Sequence, residues 1–191
     1  MEILNARKTD PMTGGASFPL AHRLERLVWN IVWEGLGKWT PVPAFGWRRW
    51  LANLFGARIS PKARIYPGVR IWYPRNLTMA DYACLGQRVN CYCMAPVTLD
   101  LYALVSQDAE LCAGTHNIDD EYLQLIVKPI TLGKRAWVAA GAFVGPGVTI
   151  GDGAVLGARA VTVKSLEPKA VYAGNPARFL RTRNIDLSSR A

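Results

Sequence analysis

The 191-residue sequence predicts a mainly β fold, a parallel solenoid, preceded by an N-terminal α-helical segment. Aliphatic residues recur every six positions at Leu132, Val138, Val144, Ile150 and Leu156. Each is followed by a small residue (Gly133, Ala139, Gly145, Gly151, Gly157), and each has a small or β-branched residue four places on (Ala136, Ala142, Val148, Ala154, Ala160). A period of six fits neither an amphipathic helix nor an alternating strand. It fits three short strands forming a triangular coil of about eighteen residues, with inward aliphatics stacked from coil to coil. A β-sandwich, the other glycine-rich β class, has strands and turns of uneven length.

In chain order, residues 1–17 hold Pro11, Gly14 and Gly15 among polar residues without periodicity. They read as a flexible lead-in, ordered at most against a partner. From Phe18 to about Gly37 the apolar residues Leu20, Leu24, Leu27, Val28, Ile31, Val32 and Leu36 stand three and four apart, as on one face of an amphipathic helix. Pro41 and Pro43 interrupt it, and Trp47, Trp50, Leu51, Leu54 and Phe55 mark a second short helix ending at Gly56. The helical segment is thus 18–56.

The solenoid follows over 57–166. Its inward column runs Ile59, Ile65, Ile71, then Met79, Leu85, Cys91, then Leu99, Val105, Leu111, with two slips of two residues that read as bulges or turns at corners. Residues 114–131 leave the repeat as an extruded loop carrying His116, Asn117, Asp119, Asp120 and Glu121. Residues 167–191 form a closing segment. The small residue after each inward aliphatic is expected at the corner itself, where glycine turns the chain without a Cβ penalty. About five coils at about 4.8 Å each predict a prism roughly 24 Å long.

Composition narrows the partners. Lys and Arg number 23 against 14 Asp and Glu, a net charge of +9, which suits a nucleotide-bearing cofactor, an acidic surface or nucleic acid. The basic residues are dispersed and form no groove-reading motif, which argues against nucleic acid. The apolar stretch Leu20 to Trp39 is interrupted by His22, Arg23, Glu25, Arg26, Glu34 and Lys38, so it is neither a spanning helix nor a signal-peptide core, and a cytoplasmic location is expected. Cys84, Cys91, Cys93 and Cys112 lack paired C-x-x-C spacing and companion histidines. They read as buried reduced thiols, and no metal is expected.

Four stretches add to the repeat: Leu27 to Trp33 with Gly46-Trp47-Arg48-Arg49, Cys112-Ala113-Gly114-Thr115-His116-Asn117, Lys128-Pro129-Ile130-Thr131-Leu132-Gly133, and Ala173-Gly174-Asn175-Pro176-Ala177-Arg178. On these the chain resembles the hexapeptide-repeat acyltransferases, and within them the colanic acid biosynthesis type of O-acetyltransferase. The resemblance implies a left-handed β-helix, which periodicity alone does not give, since parallel crossovers are nearly always right-handed. It also implies acetyl-CoA as co-substrate and a homotrimer whose active sites lie between neighbouring subunits.

Moving an acetyl group from a thioester to a sugar hydroxyl needs a base for the hydroxyl proton and donors for the oxyanion. Imidazole suits the first task, because it takes up and returns protons near neutral pH. Of the two histidines, His22 lies in the predicted helix and reads as structural or solvent-facing. His116 stands at the root of the loop and matches the family's catalytic histidine. Asn117, Asp119 and Asp120 are candidates to orient it or to contact acceptor hydroxyls, with Asp120 favoured. Direct attack by the acceptor needs no acyl-enzyme, and Cys91 and Cys112 stand in or beside the inward column.

By match to the family, Ala140 and Ala158 line the pantetheine arm, Val163 and Lys164 border the adenosine end, and Arg178 and Arg181 meet the CoA phosphates. Related acetyltransferases carry an asparagine near the acceptor; here that coil reads Asn90-Cys91-Tyr92-Cys93, with Tyr92 in direct register and Asn90 two places away. A saccharide, free or lipid-linked, is the leading acceptor. An amine or other small hydroxyl compound is the second reading. A non-catalytic β-helix scaffold is the third, and its metal-dependent form needs several coil-spaced histidines. The segment 18–55 interleaves Trp29, Trp33, Trp39, Trp47 and Trp50 with Arg26, Arg48 and Arg49, and either caps the open end of the solenoid or touches a membrane interface.

Overall fold

The computed structural model describes residues 3–187. Each coil contributes one short strand to each of three parallel sheets. The first coil is β1 (Arg58–Ile59), β2 (Arg64–Ile65) and β3 (Arg70–Ile71), and the second is β4 (Leu77–Met79), β5 (Cys84–Leu85) and β6 (Asn90–Tyr92). The third is β7 (Val97–Leu99), β8 (Leu104–Val105) and β9 (Glu110–Cys112). After a hairpin of β10 (Gly114–His116) and β11 (Leu125–Val127), β12 (Ile130–Leu132), β13 (Trp137–Val138) and β14 (Phe143–Val144) make the fourth, and β15 (Thr149–Ile150), β16 (Val155–Leu156) and β17 (Val161–Thr162) the fifth. The predicted inward column is the core: Met79, Leu99, Leu132 and Ile150 stack in register above Ile59, and every member is buried. The closing segment lays β18 (Ala170–Ala173) on β16 and returns it antiparallel as β19 (Arg178–Thr182).

Both slips and the extruded loop fall at one corner, where the third sheet hands the chain back to the first. There the chain inserts the 3₁₀ turn Pro74–Asn76 between β3 and β4, two extra residues between β6 and β7, and the hairpin between β9 and β12. The loop is an antiparallel ribbon with His116 opposite Leu125.

The small residues do not sit where the expectation put them. Left-handed backbone falls three places after the inward aliphatic, and Tyr82, Arg88, Tyr102, Asp108, Arg135 and Arg159 adopt it there with φ from 55 to 59°. The residue immediately after the aliphatic is small because the next coil crowds it. A Cβ on Gly151 would lie 2.6 Å from the Pro168 nitrogen, and one on Gly133 would lie 2.9 Å from the Asp152 nitrogen. Close stacking, more than turning, selects glycine at these positions.

The helices α2 (Leu20–Val32) and α3 (Phe45–Leu54), joined through a π-helical turn at Trp33–Gly37, close the first coil. Above, each coil donates its N–H groups to the next, as Ser60 does to Met79 and Ala80 to Leu99. Below the first coil there is no neighbour, and side chains serve its edge instead. Trp29 donates its indole N–H to the Ile71 carbonyl at 2.6 Å, and Trp33 to Val69 at 2.9 Å. Arg48 and Arg49 donate to Ile65 and Ala63, and the Asn53 amide meets both N–H and C=O of Ile59. Arg48 is fully buried, its charge spread over the carbonyls of Ile65, Thr40, Pro41 and Val42 and the Thr40 hydroxyl. The cap thus satisfies an open edge that otherwise invites another strand. In doing so it turns the aliphatic stripe of α2 outward: Leu20, Leu24, Leu27, Val28 and Ile31 are each more than half exposed.

The lead-in finds its partner inside the chain. It forms α1 (Ala6–Thr9) and is held against the hairpin by Gln124, which accepts from the Ala6 N–H at 2.7 Å and donates to the Leu4 carbonyl at 3.2 Å.

Candidate active site

His116 ends the first strand of the hairpin, beside the corner where the chain leaves the third coil. Its Nδ1 stands 2.6 Å from the Leu123 carbonyl oxygen. A carbonyl only accepts, so Nδ1 carries a hydrogen, and in the neutral ring the lone pair then belongs to Nε2. The ring borders a cleft of about 340 Å³ whose other walls include Ser17, Phe18, Tyr92, Met94 and Leu125. A second hollow of about 330 Å³ shares Ser17, Phe18, Tyr92 and Met94 and adds Trp72 and Arg26. Arg26 lies 3.8 Å above the Trp72 ring, and Trp72 meets Tyr92 edge-on at 5.7 Å. Burial pushes the Tyr92 phenol up against the opposing pull of the Arg26 charge, so it faces the cleft as a neutral hydroxyl.

Asn90 and Tyr92 flank the inward Cys91 on β6, and only Tyr92 lines the cleft. The Asn90 amide donates to Glu110 across the sheet at 3.0 Å. The loop polar residues shape the ribbon tip: Asn117 accepts from the Asp119 N–H, and Asp120 from the Tyr122 N–H at 2.9 Å. The group bonded to the His116 ring is a backbone carbonyl; Asn117 and Asp120, candidates to orient the ring or to contact acceptor hydroxyls, bond to backbone of their own loop. Ser17, Phe18, Trp72 and Met94 have no counterpart among the predicted site residues.

The predicted cofactor residues lie on the upper coils in three groups. Ala140 and Ala158 occupy the same corner between the second and third sheets, with the Arg159 N–H bonded to the Ala140 carbonyl at 2.9 Å. Val163, exposed, and Lys164 follow β17 at the opposite end of the third sheet. Arg178 and Arg181 are exposed on β19, opposite Ala173 and Val171. A cavity of about 660 Å³ lies at another corner among Tyr102, Arg135, Trp137 and Arg183, and none of the predicted residues lines it.

The remaining candidates are structural. His22 is buried among Phe18, Trp72 and Tyr73, with ring centroids 4.5 to 5.4 Å away and no partner for either ring nitrogen. Burial pushes the thiols of Cys84 and Cys112 up, away from the thiolate form a nucleophile needs. Among the described residues no three His, Cys, Asp or Glu side chains gather as metal ligands.

A triangular β-solenoid of stacked parallel coils built on a six-residue period defines a hexapeptide-repeat protein. The family described as bacterial transferase hexapeptide (six repeats) matches residues 129–164. The protein named as colanic acid biosynthesis acetyltransferase WcaF in Escherichia coli (strain K12) is 40% identical over 156 residues, covering 82% of this chain and 86% of that one. The chain belongs to the hexapeptide-repeat acetyltransferases, within the group that includes this colanic acid biosynthesis protein, and it is an acyltransferase. The fold is shared with a maltose O-acetyltransferase from Clostridium difficile 630 (TM-score 0.79, 19% identity, 96% of this chain and 100% of that one). It is shared equally with the hexapeptide-repeat acetyltransferase VCA0836 of Vibrio cholerae complexed with acetyl coenzyme A (TM-score 0.79, 19% identity, 95% and 100% covered).

Proposed function

We propose that this protein transfers an acetyl group from acetyl-CoA to a saccharide hydroxyl in exopolysaccharide synthesis, in the cytoplasm, with His116 as general base. The observation that carries the reading is the Leu123 carbonyl on His116 Nδ1, which leaves Nε2 as the basic nitrogen beside a cleft. Nε2 takes the hydroxyl proton as the acceptor oxygen bonds to the thioester carbonyl carbon. The tetrahedral adduct then collapses, the C–S bond breaks, and the imidazolium returns its proton to the departing thiolate. No enzyme nucleophile is consumed.

The acetyl coenzyme A held by the Vibrio cholerae protein and the colanic acid name of the Escherichia coli relative support this choice of donor and acceptor. Phe18, Trp72 and Tyr92 line the hollow with aromatic surface against which the apolar side of a sugar packs, and the Tyr92 hydroxyl offers a hydrogen bond. Asn90, Asn117 and Asp120 lie farther out in this reading, as supports of the sheet face and ribbon tip. Ala140 and Ala158 leave room for pantetheine at their shared corner, Val163 and Lys164 border the adenosine, and Arg178 and Arg181 supply cations for its phosphates. A homotrimer fits the openness of the cleft, because a neighbour would cover Ile118, 85% exposed at the ribbon tip.

Thiol release from acetyl-CoA against a panel of sugars, glycolipids, simple alcohols and amines tests the acceptor. A saccharide gives the highest kcat/KM on this reading; an amine or simple alcohol that outruns every saccharide overturns it.

A further inference from the structure

The helical cap carries an apolar surface that none of the described residues covers. Beside the outward stripe of α2 stand Trp39, Trp47 and Trp50, at 72%, 42% and 53% exposure. Trp39 and Trp47 donate their indole N–H groups back to the carbonyls of Gly35 and Leu36 at 3.0 and 2.7 Å. Trp47 and Trp50 stack at 5.1 Å. The two donors are spent within the cap, and what these rings offer outward is hydrocarbon. Exposed large apolar side chains gathered on one cap in this number mark an interaction site.

Charge selects the partner. The first coil, which the cap closes, carries an exposed arginine on each face of the prism: Arg58 on β1, Arg64 on β2 and Arg70 on β3. The positions in register above them are Thr78, Cys84 and Asn90 in the second coil and Thr98, Leu104 and Glu110 in the third. In the fourth they are Thr131, Trp137 and Phe143, and in the fifth Thr149, Val155 and Val161. At these positions the cation appears only at the level next to the cap. An apolar end inside a cationic collar is complementary to a plane of lipid with anionic headgroups. A second copy seated cap to cap would set one collar against the other.

We propose that the cap docks on an anionic bilayer surface, with the outer face of α2 and the rings of Trp39, Trp47 and Trp50 at the headgroup boundary and Arg58, Arg64 and Arg70 at the phosphates. The contact is peripheral, since no described helix is long and apolar enough to cross a membrane. It stands apart from the catalytic reading, because none of these residues lines the His116 cleft.

Flotation of the full chain with phosphatidylglycerol vesicles, beside phosphatidylcholine vesicles, tests the proposal. The wild type floats with the anionic vesicles, much less with the neutral ones, and salt weakens the binding. The double variant Leu24→Glu/Ile31→Glu changes only exposed positions and lowers partition about tenfold or more. Each of Arg58→Gln, Arg64→Gln and Arg70→Gln lowers it about fivefold, the effect of roughly 1 kcal/mol per surface cation. Should the double variant fail to fold, the glutamine series decides. No flotation of the wild type, or arginine variants that float as it does, overturns the proposal. So does self-association without vesicles that the glutamate variant abolishes while its vesicle binding persists, since the surface then covers a second copy.

Discussion

At the scale of single residues, the proposed mechanism separates His116, as the group that would handle the proton, from the groups that hold the hairpin in place. Asp120 caps its own turn through the Tyr122 N–H, so Asp120→Ala loosens the ribbon tip without removing the base. Its kcat is expected to fall by less than about tenfold, a loss under about 1.4 kcal/mol; a fall as deep as that of a His116 variant, in steady-state assays of both, gives the carboxylate a direct role. Tyr92→Ala removes a wall of a cleft that none of the predicted cofactor residues lines. It is expected to raise the acceptor KM about tenfold and leave the acetyl-CoA KM unchanged, read from paired titrations. His116 was legible in the sequence because it is the histidine of the repeat region. Phe18, Trp72 and Met94 were not, because they meet only where the residue before α2 packs against segments that follow β3 and β6, a long-range pairing that no local pattern encodes.

At the scale of elements, each corner obeys two separate constraints, and the substitutions that test them have opposite signs. Gly151→Ala forces a Cβ into backbone of the following turn and is expected to cost about 1–3 kcal/mol by urea unfolding. Arg159→Gly relieves a left-handed residue with φ of 55° and is expected to be neutral or stabilising by up to about 1 kcal/mol. If both destabilise equally, crowding and turning are not separable. Spacing marked the small positions correctly and assigned them the wrong reason, since a glycine demanded by a close neighbour and one demanded by φ look alike in one sequence. The cap shows a similar limit. The three-and-four spacing of α2 identified an amphipathic helix, but the face turned inward is the one whose indoles serve the orphan carbonyls, with the aliphatic stripe left outside.

The seam between α2 and the end of the first coil is also sensitive to acid. Burial, reinforced by Arg26 and opposed by Glu25, holds the His22 imidazole below its ordinary 6.5. The folded state therefore binds this proton more weakly than the unfolded chain. The stability it contributes is complete above pH 6.5 and is lost as pH falls from there through the folded-state value. His22→Phe, measured above and below that range, is expected to flatten this limb of the urea midpoint; an unchanged slope contradicts it.

At the scale of the whole molecule, one corner of the prism concentrates every departure from the repeat, and the hairpin with the cleft lies there. The regular coils supply a rigid column, and the insertions carry the candidate site on it. This division explains why the period made the fold readable while, of the cleft walls, the sequence pointed to His116 and Tyr92 and not to Phe18, Met94 or Leu125. The most direct measurement is single-turnover acetyl transfer by wild type and His116→Ala with the best saccharide acceptor, both confirmed as folded. The account predicts a loss of about a hundredfold to ten-thousandfold in the chemical step for the alanine variant. Wild-type transfer by that variant would contradict it.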